Sequence, residues 1–109
     1  MRTVTGTEEN YAARLKTFNP WRVRAVSALP DYRFSVEFAD ASSGVVDMSL
    51  FLAGDCGVFQ PLRDVELFNA VFVEHGAVTW PGELDLAPDQ MYAQLQKMAV
   101  YVIAARRTI

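Results

Sequence analysis

The chain has 109 residues, 51% of them hydrophobic and 21% charged, with a formal net charge of −3. That is the size and make-up of one folded domain, and it excludes a disordered chain or a collagen-like repeat. The longest wholly apolar run, Met98 to Ala105, falls far short of the ~20 residues that cross a bilayer, no apolar stretch follows Met1, and Cys56 is the one cysteine, so a cytoplasmic protein with no membrane span, leader or internal disulfide is expected.

Thr5 followed by Glu8 fits a capping box for a helix over Thr5–Phe18, with Tyr11, Leu15 and Phe18 on one face and Asn19-Pro20 as its stop. Residues 1–20 therefore read as an N-terminal helical extension and 21–109 as a single α+β domain. From Trp21 the pattern changes. Val23 to Leu29 reads as a strand, Pro30-Asp31-Tyr32 as a turn, and Tyr32, Phe34, Val36 and Phe38 alternate with polar or small residues as in a half-buried strand. Val45–Met48 gives a third strand after the polar turn Asp40–Gly44, completing an antiparallel meander.

Ser49 is placed to cap a helical turn over Ser49–Leu52, which Gly54–Gly57 breaks. Val58–Leu62 follows as an apolar connector, and Asp64 caps a short helix over Val65–Ala70 with Leu67 and Phe68 turned inward. Val71–Val73 and Ala77–Trp80 flank Glu74-His75-Gly76 as a second hairpin, ended by Pro81-Gly82. Pro88 opens the last helix, expected over about residues 89–107. Beyond Lys97 that helix would be apolar on every face, which requires burial on every face. It could lie across the sheet with one side loosely covered, or be shared with a second copy or another protein; a strand is the remaining reading, because Val100–Ile103 favour one. The fold class is thus α+β: an antiparallel sheet of about five strands, a meander plus a hairpin, with short helices and a C-terminal helix.

Catalytic chemistry finds little to work with. His75 is the single histidine and sits in a turn beside Gly76. Cys56 lies next to Asp55, whose carboxylate would raise a thiol pKa instead of lowering it. Asp47, Asp55, Asp64 and Asp85 share no spacing that fixes two on one face of an element, so they read as caps and turn residues, and no metal or other cofactor is expected. The six glycines are scattered and form no phosphate loop. Trp80-Pro81 is the most distinctive dipeptide, a strand end closed by a residue without an N–H; Trp80 reads first as structural and second as a binding anchor.

Charge is unevenly spread. Residues 1–28 hold five basic and two acidic side chains, 29–95 two basic against eleven acidic, and 96–109 three basic. An acidic body repels a phosphate backbone, so direct nucleic-acid binding is not expected; such a role would fall to Arg22, Arg24, Arg106 and Arg107. The same field would speed encounter with a basic partner protein.

Leu29-Pro-Asp-Tyr-Arg-Phe-Ser-Val-Glu-Phe, Gly44-Val-Val-Asp-Met, Gly57-Val-Phe-Gln-Pro-Leu-Arg-Asp, Val78-Thr-Trp-Pro-Gly and Asp85-Leu-Ala-Pro-Asp-Gln-Met-Tyr, in that order over about Trp21 to Leu95, resemble the bacterial Domain of Unknown Function 2442 family. The resemblance implies a small α+β domain with an antiparallel sheet and no established activity. It further implies a sensing or dimerising role where members carry a helix-turn-helix module, or one half of a two-protein pair of the toxin–antitoxin sort. No such module is expected after the last helix here. Ala87 stands before Pro88, where a Ser or Asp often caps the helix.

The expected function is a non-enzymatic protein-interaction or regulatory module, a homodimer through Met98, Tyr101, Val102 and Ile103, with an antitoxin-like role toward a small basic partner as one form of it. The alternative is a small-molecule or metal-binding regulatory domain with Trp80, Pro81, Asp85 and Arg63 around a pocket.

Overall fold

A computed structural model describes residues 19–104; the helix expected over Thr5–Phe18, and Arg106 and Arg107, lie outside the described residues. The first three strands are β1 (Val23–Leu29), β2 (Arg33–Phe38) and β3 (Ser43–Asp47), paired antiparallel as a meander. In β2 the expected alternation holds: Phe34, Val36 and Phe38 are buried, while Arg33, Ser35 and Glu37 between them are half-buried. β1 advances two residues, Val23 to Ala25, while β2 advances one, Phe38 to Glu37. This bulge turns both Arg24 and Ala25 outward and brings the Arg24 guanidinium 2.7 Å from the Glu37 carboxylate.

Helix α1 (Ser49–Ala53) follows, then a 3₁₀ helix over Gly57–Arg63 where only an apolar connector was expected, then α2 (Val65–Phe68). Asp64 caps α2 as expected, its carboxylate accepting from the Glu66 amide. Ser49 does not cap α1. The Asp47 carboxylate takes that place, accepting from the Ser49 amide at 2.9 Å and hydroxyl at 2.7 Å.

The second sheet comprises β4 (Phe72–Glu74), β5 (Ala77–Trp80) and β6 (Leu84–Leu86), antiparallel throughout. The expected single sheet of about five strands is therefore corrected to two, of four and three strands. Pro81-Gly82 ends β5 as expected, and the turn leads on into β6, a strand not expected, whose three residues are too few to show a period. Helix α3 (Pro88–Leu95) begins at Pro88 with Ala87 as an N-cap that makes no side-chain hydrogen bond.

The terminal helix expected to about residue 107 is the larger correction. α3 ends at Leu95, and β7 (Val100–Val102) lies parallel to β3 as the fourth strand of the first sheet. A strand resolves the burial problem that an all-apolar helix would pose: with period two, Tyr101 and Ile103 pack on the core while Val100 and Val102 face out. Gly44 permits the close approach of α3 to β3, since a Cβ there would stand 2.6 Å from Leu95 Cδ2.

One core joins the two sheets. Phe34, Phe38 and Val46 from the first sheet meet Val78 and Trp80 from the second, with Leu52, Leu62, Phe68, Met91 and Leu95 from the helical segments. Trp80 is wholly buried, its ring 5.9 Å from both Phe34 and Phe68, and its indole N–H donates to the Phe68 carbonyl at 2.9 Å. That bond satisfies the polar end of a side chain otherwise surrounded by apolar atoms.

Candidate interaction surfaces

Directly paired residues share a face of a sheet, so the registers define the outer face of the first sheet row by row. One row is Leu29, Arg33, Asp47 and Val102; the next is Ser27, Ser35, Val45 and Val100; a third is Ala25, Glu37 and Ser43. Ala25, Ser27, Ser43, Val100 and Val102 are exposed there. Arg24 is ion-paired with Glu37 and Arg33 stands opposite Asp47 in register, so the face holds equal numbers of both signs, although residues 19–104 as a whole hold five basic against eleven acidic side chains. β7 forms one edge of this sheet. Of the four residues expected at an interface, Met98 and Val102 are exposed, at 42% and 44%, and Tyr101 and Ile103 are half-buried against the core.

A second surface lies at the opposite edge. An open cleft of about 700 Å³ runs between the end of β1 with its turn (Ala28 to Tyr32) and α2 (Val65, Phe68 and Asn69). Asp31 and Tyr32 both hold left-handed backbone, with φ of 65° and 60°. For a tyrosine this conformation costs free energy, and the surroundings must hold it. They do: the Tyr32 hydroxyl donates to the Arg63 carbonyl at 2.5 Å, and its ring meets Phe68 edge-on at 5.4 Å. Val65 remains 54% exposed at the rim. The sequence signals Pro30-Asp31-Tyr32 only as a turn; the cleft comes from α2, thirty-odd residues away, and no local pattern shows it.

The four residues expected around a ligand pocket serve separate purposes. Trp80 is core, which removes it as a surface anchor. Pro81 is exposed in the β5–β6 turn. The Arg63 guanidinium is taken up by backbone carbonyls, Nε donating to Leu52 at 2.7 Å and a terminal nitrogen to Gly54 at 2.8 Å, which ties the end of α1 to the 3₁₀ helix. Asp85 lies with Glu74, His75, Thr79 and Glu83 along a shallow depression on the outer face of the second sheet. His75 is exposed in the β4–β5 turn, as expected, and Cys56 is buried. Among the described residues no group of three or more His, Cys, Asp or Glu is arranged to hold a metal ion, and no helix is long and apolar enough to cross a membrane.

A polar clasp joins α3 to the β2–β3 turn. The Asp40 carboxylate accepts from the Ser42 hydroxyl at 2.6 Å and amide at 2.9 Å, and from the Tyr92 hydroxyl at 2.7 Å. These bonds hold the Asp40 carboxyl below the usual carboxylate range, the Ser42 hydroxyl contributing most, and push the Tyr92 hydroxyl up.

The architecture is thus that of a small α+β domain in which two antiparallel-rich sheets share one core and one of them keeps a bare face. The chain belongs to the family described as Protein of unknown function (DUF2442), which matches residues 23–97, from the first residue of β1 to just past α3. Neither the curated proteins nor the solved structures yield a match.

Proposed function

We propose that the domain is a non-enzymatic protein-interaction module that works as a homodimer through the outer face and β7 edge of the first sheet. The observation that carries this reading is a charge-balanced face with exposed Val100 and Val102, and Met98 exposed just ahead of β7, on an otherwise acidic body. Interface cores are depleted in net charge, and two acidic bodies can approach only where charge is balanced. A second copy therefore suits this face better than a basic partner, which the acidic remainder of the surface would draw elsewhere. Strand-edge pairing at β7 supplies main-chain hydrogen bonds, and Val100 and Val102 supply apolar contact.

Sedimentation over a range of concentrations tests the reading. The wild-type chain is expected to sediment as a dimer at micromolar concentration, and Val102→Lys as a folded monomer with an unchanged circular-dichroism spectrum. A wild-type chain that stays monomeric at several hundred micromolar overturns it.

A further inference from the structure

We infer that the cleft beside the Pro30-Asp31-Tyr32 turn is a docking site for an extended segment of a basic partner protein, which adds as a strand to the end of β1 and places an apolar side chain against Val65 and Phe68. The site lies at the sheet edge opposite β7 and, of the residues in the outer-face rows, shares Leu29 with the dimer face.

Three observations carry it. First, β1 is an edge strand, and among the described residues its backbone bond away from β2 is at its beginning, where the Val23 amide donates to the Gly76 carbonyl. At its other end, Ala28 and Leu29 have, among the described residues, no strand on the side away from β2, and they form one wall of the cleft. An unpaired edge bordering a cleft selects an extended peptide over a compact small molecule, since it offers backbone groups at strand spacing. Second, the opposite wall presents Val65, more than half exposed, over the buried Phe68, with the polar Asn69 beside them. Third, the rim is acidic. Asp31 lines the cleft and among the described residues is in no ion pair, and residues 19–104 as a whole hold five basic against eleven acidic side chains. Arg33, the nearest cation along the chain, is turned onto the Pro30 carbonyl at 2.9 Å. A segment that alternates apolar and basic residues satisfies the edge, the wall and the rim together.

The left-handed turn belongs to the same argument. Strained backbone held in place by its surroundings is a recurrent property of binding sites, and here the strain is at Asp31 and Tyr32, on the cleft itself.

The test is an amide-resonance titration of the full chain with two capped six-residue peptides, one alternating leucine with lysine and the other leucine with glutamate. The lysine peptide is expected to shift the resonances of Ala28, Leu29, Asp31, Val65 and Asn69, and the glutamate peptide to bind at least about tenfold more weakly. Val65→Lys, at an exposed position, is expected to abolish the shifts with the rest of the spectrum unchanged; Asp31→Asn, which keeps the side-chain shape, weakens binding about threefold. Equal response to both peptides, shifts confined to Glu74, Glu83 and Asp85, or no shift at millimolar peptide would each overturn the proposal. Concentration-dependent shifts of the same five amides without peptide would also overturn it, by assigning the cleft to a second copy. The dimer reading is scored separately, by sedimentation of Val102→Lys.

Discussion

Two turns of this molecule share one backbone design and differ in what holds it. Leu29 pairs with Arg33 around Pro30-Asp31-Tyr32, and Trp80 pairs with Leu84 around Pro81-Gly82-Glu83. Each turn begins with proline and continues with two left-handed residues, Asp31 and Tyr32 in one, Gly82 and Glu83 in the other. The β5–β6 turn uses glycine where φ reaches 93°, and the Glu83 side chain is exposed. The β1–β2 turn has no glycine, and Tyr32 is fastened at both its ring and its hydroxyl. The β5–β6 turn therefore relies on the backbone freedom of Gly82, whereas the β1–β2 turn depends on α2 and the 3₁₀ helix. A turn that depends on distant elements is also fixed in position relative to them, and that is what shapes the cleft.

Removing the fastening should produce the largest effect. Tyr32→Ala deletes the ring contact with Phe68 and leaves the Arg63 carbonyl without its donor, while the left-handed backbone remains to be held. A loss of about 2–4 kcal/mol is expected, measured as a lower urea midpoint at unchanged slope. Tyr32→Phe separates the parts, since it keeps the ring and loses only the hydroxyl, for about 1 kcal/mol. If Tyr32→Ala cost no more than Tyr32→Phe, the ring would not be an anchor and the contrast between the turns would collapse.

A smaller pair of substitutions exchanges the two designs. Gly82→Ala meets no atom within 4 Å, so its cost is backbone strain alone, about 1 kcal/mol. Asp31→Gly does the opposite. It relieves a left-handed aspartate and is expected to stabilise by a few tenths of a kcal/mol, after the greater freedom of glycine in the unfolded chain is subtracted. The same change removes the rim carboxylate, so stability should rise while affinity for the lysine peptide falls. Thermal unfolding of both variants beside wild type checks the signs, and two destabilised proteins would show that the Asp31 side chain contributes to the turn itself.

The sequence makes these turns visible but not their difference. Proline followed by aspartate or glycine marks a reversal in either case, and the alternation of Phe34, Val36 and Phe38 identifies the strand that follows. Asp64 and Pro88 likewise mark their helix starts through local chemistry. Other features depend on partners remote in sequence. Tyr32 is an anchor only because Arg63 and Phe68 are brought to it, and Arg63 reads as a candidate ligand group until Leu52 and Gly54 are seen to occupy it. The run from Met98 to Ala105 satisfies helix and strand periods equally. Leu95 is followed by no Gly or Pro to stop α3, so only the open edge of β3 decides the outcome. Trp80 was legible as a strand end, but its place in the core depends on Phe34, Phe59 and Phe68.

The β2–β3 turn extends the comparison to a third case, with the smallest effect. Ala41 is left-handed, with φ of 75°, and the anchor is the Asp40 carboxylate, bonded to Ser42 and to Tyr92 of α3. Because the Asp40 carboxyl is lowered in the fold, the unfolded chain binds more protons in acid. Its contribution is then present above the ordinary aspartate value, about 3.9, and is lost as pH falls through the lower folded value. Tyr92 acts in the other direction: its raised hydroxyl contributes below about 10 and loses that contribution as pH climbs through the folded value. The group is exposed, so the effect is a modest change in slope and not a collapse. Denaturant midpoints from pH 2.5 to 5 should fall less steeply for Asp40→Asn than for wild type, and Tyr92→Phe should flatten the alkaline limb. Parallel curves for Asp40→Asn and wild type would mean that this turn, like the one at Gly82, holds its shape through its backbone alone.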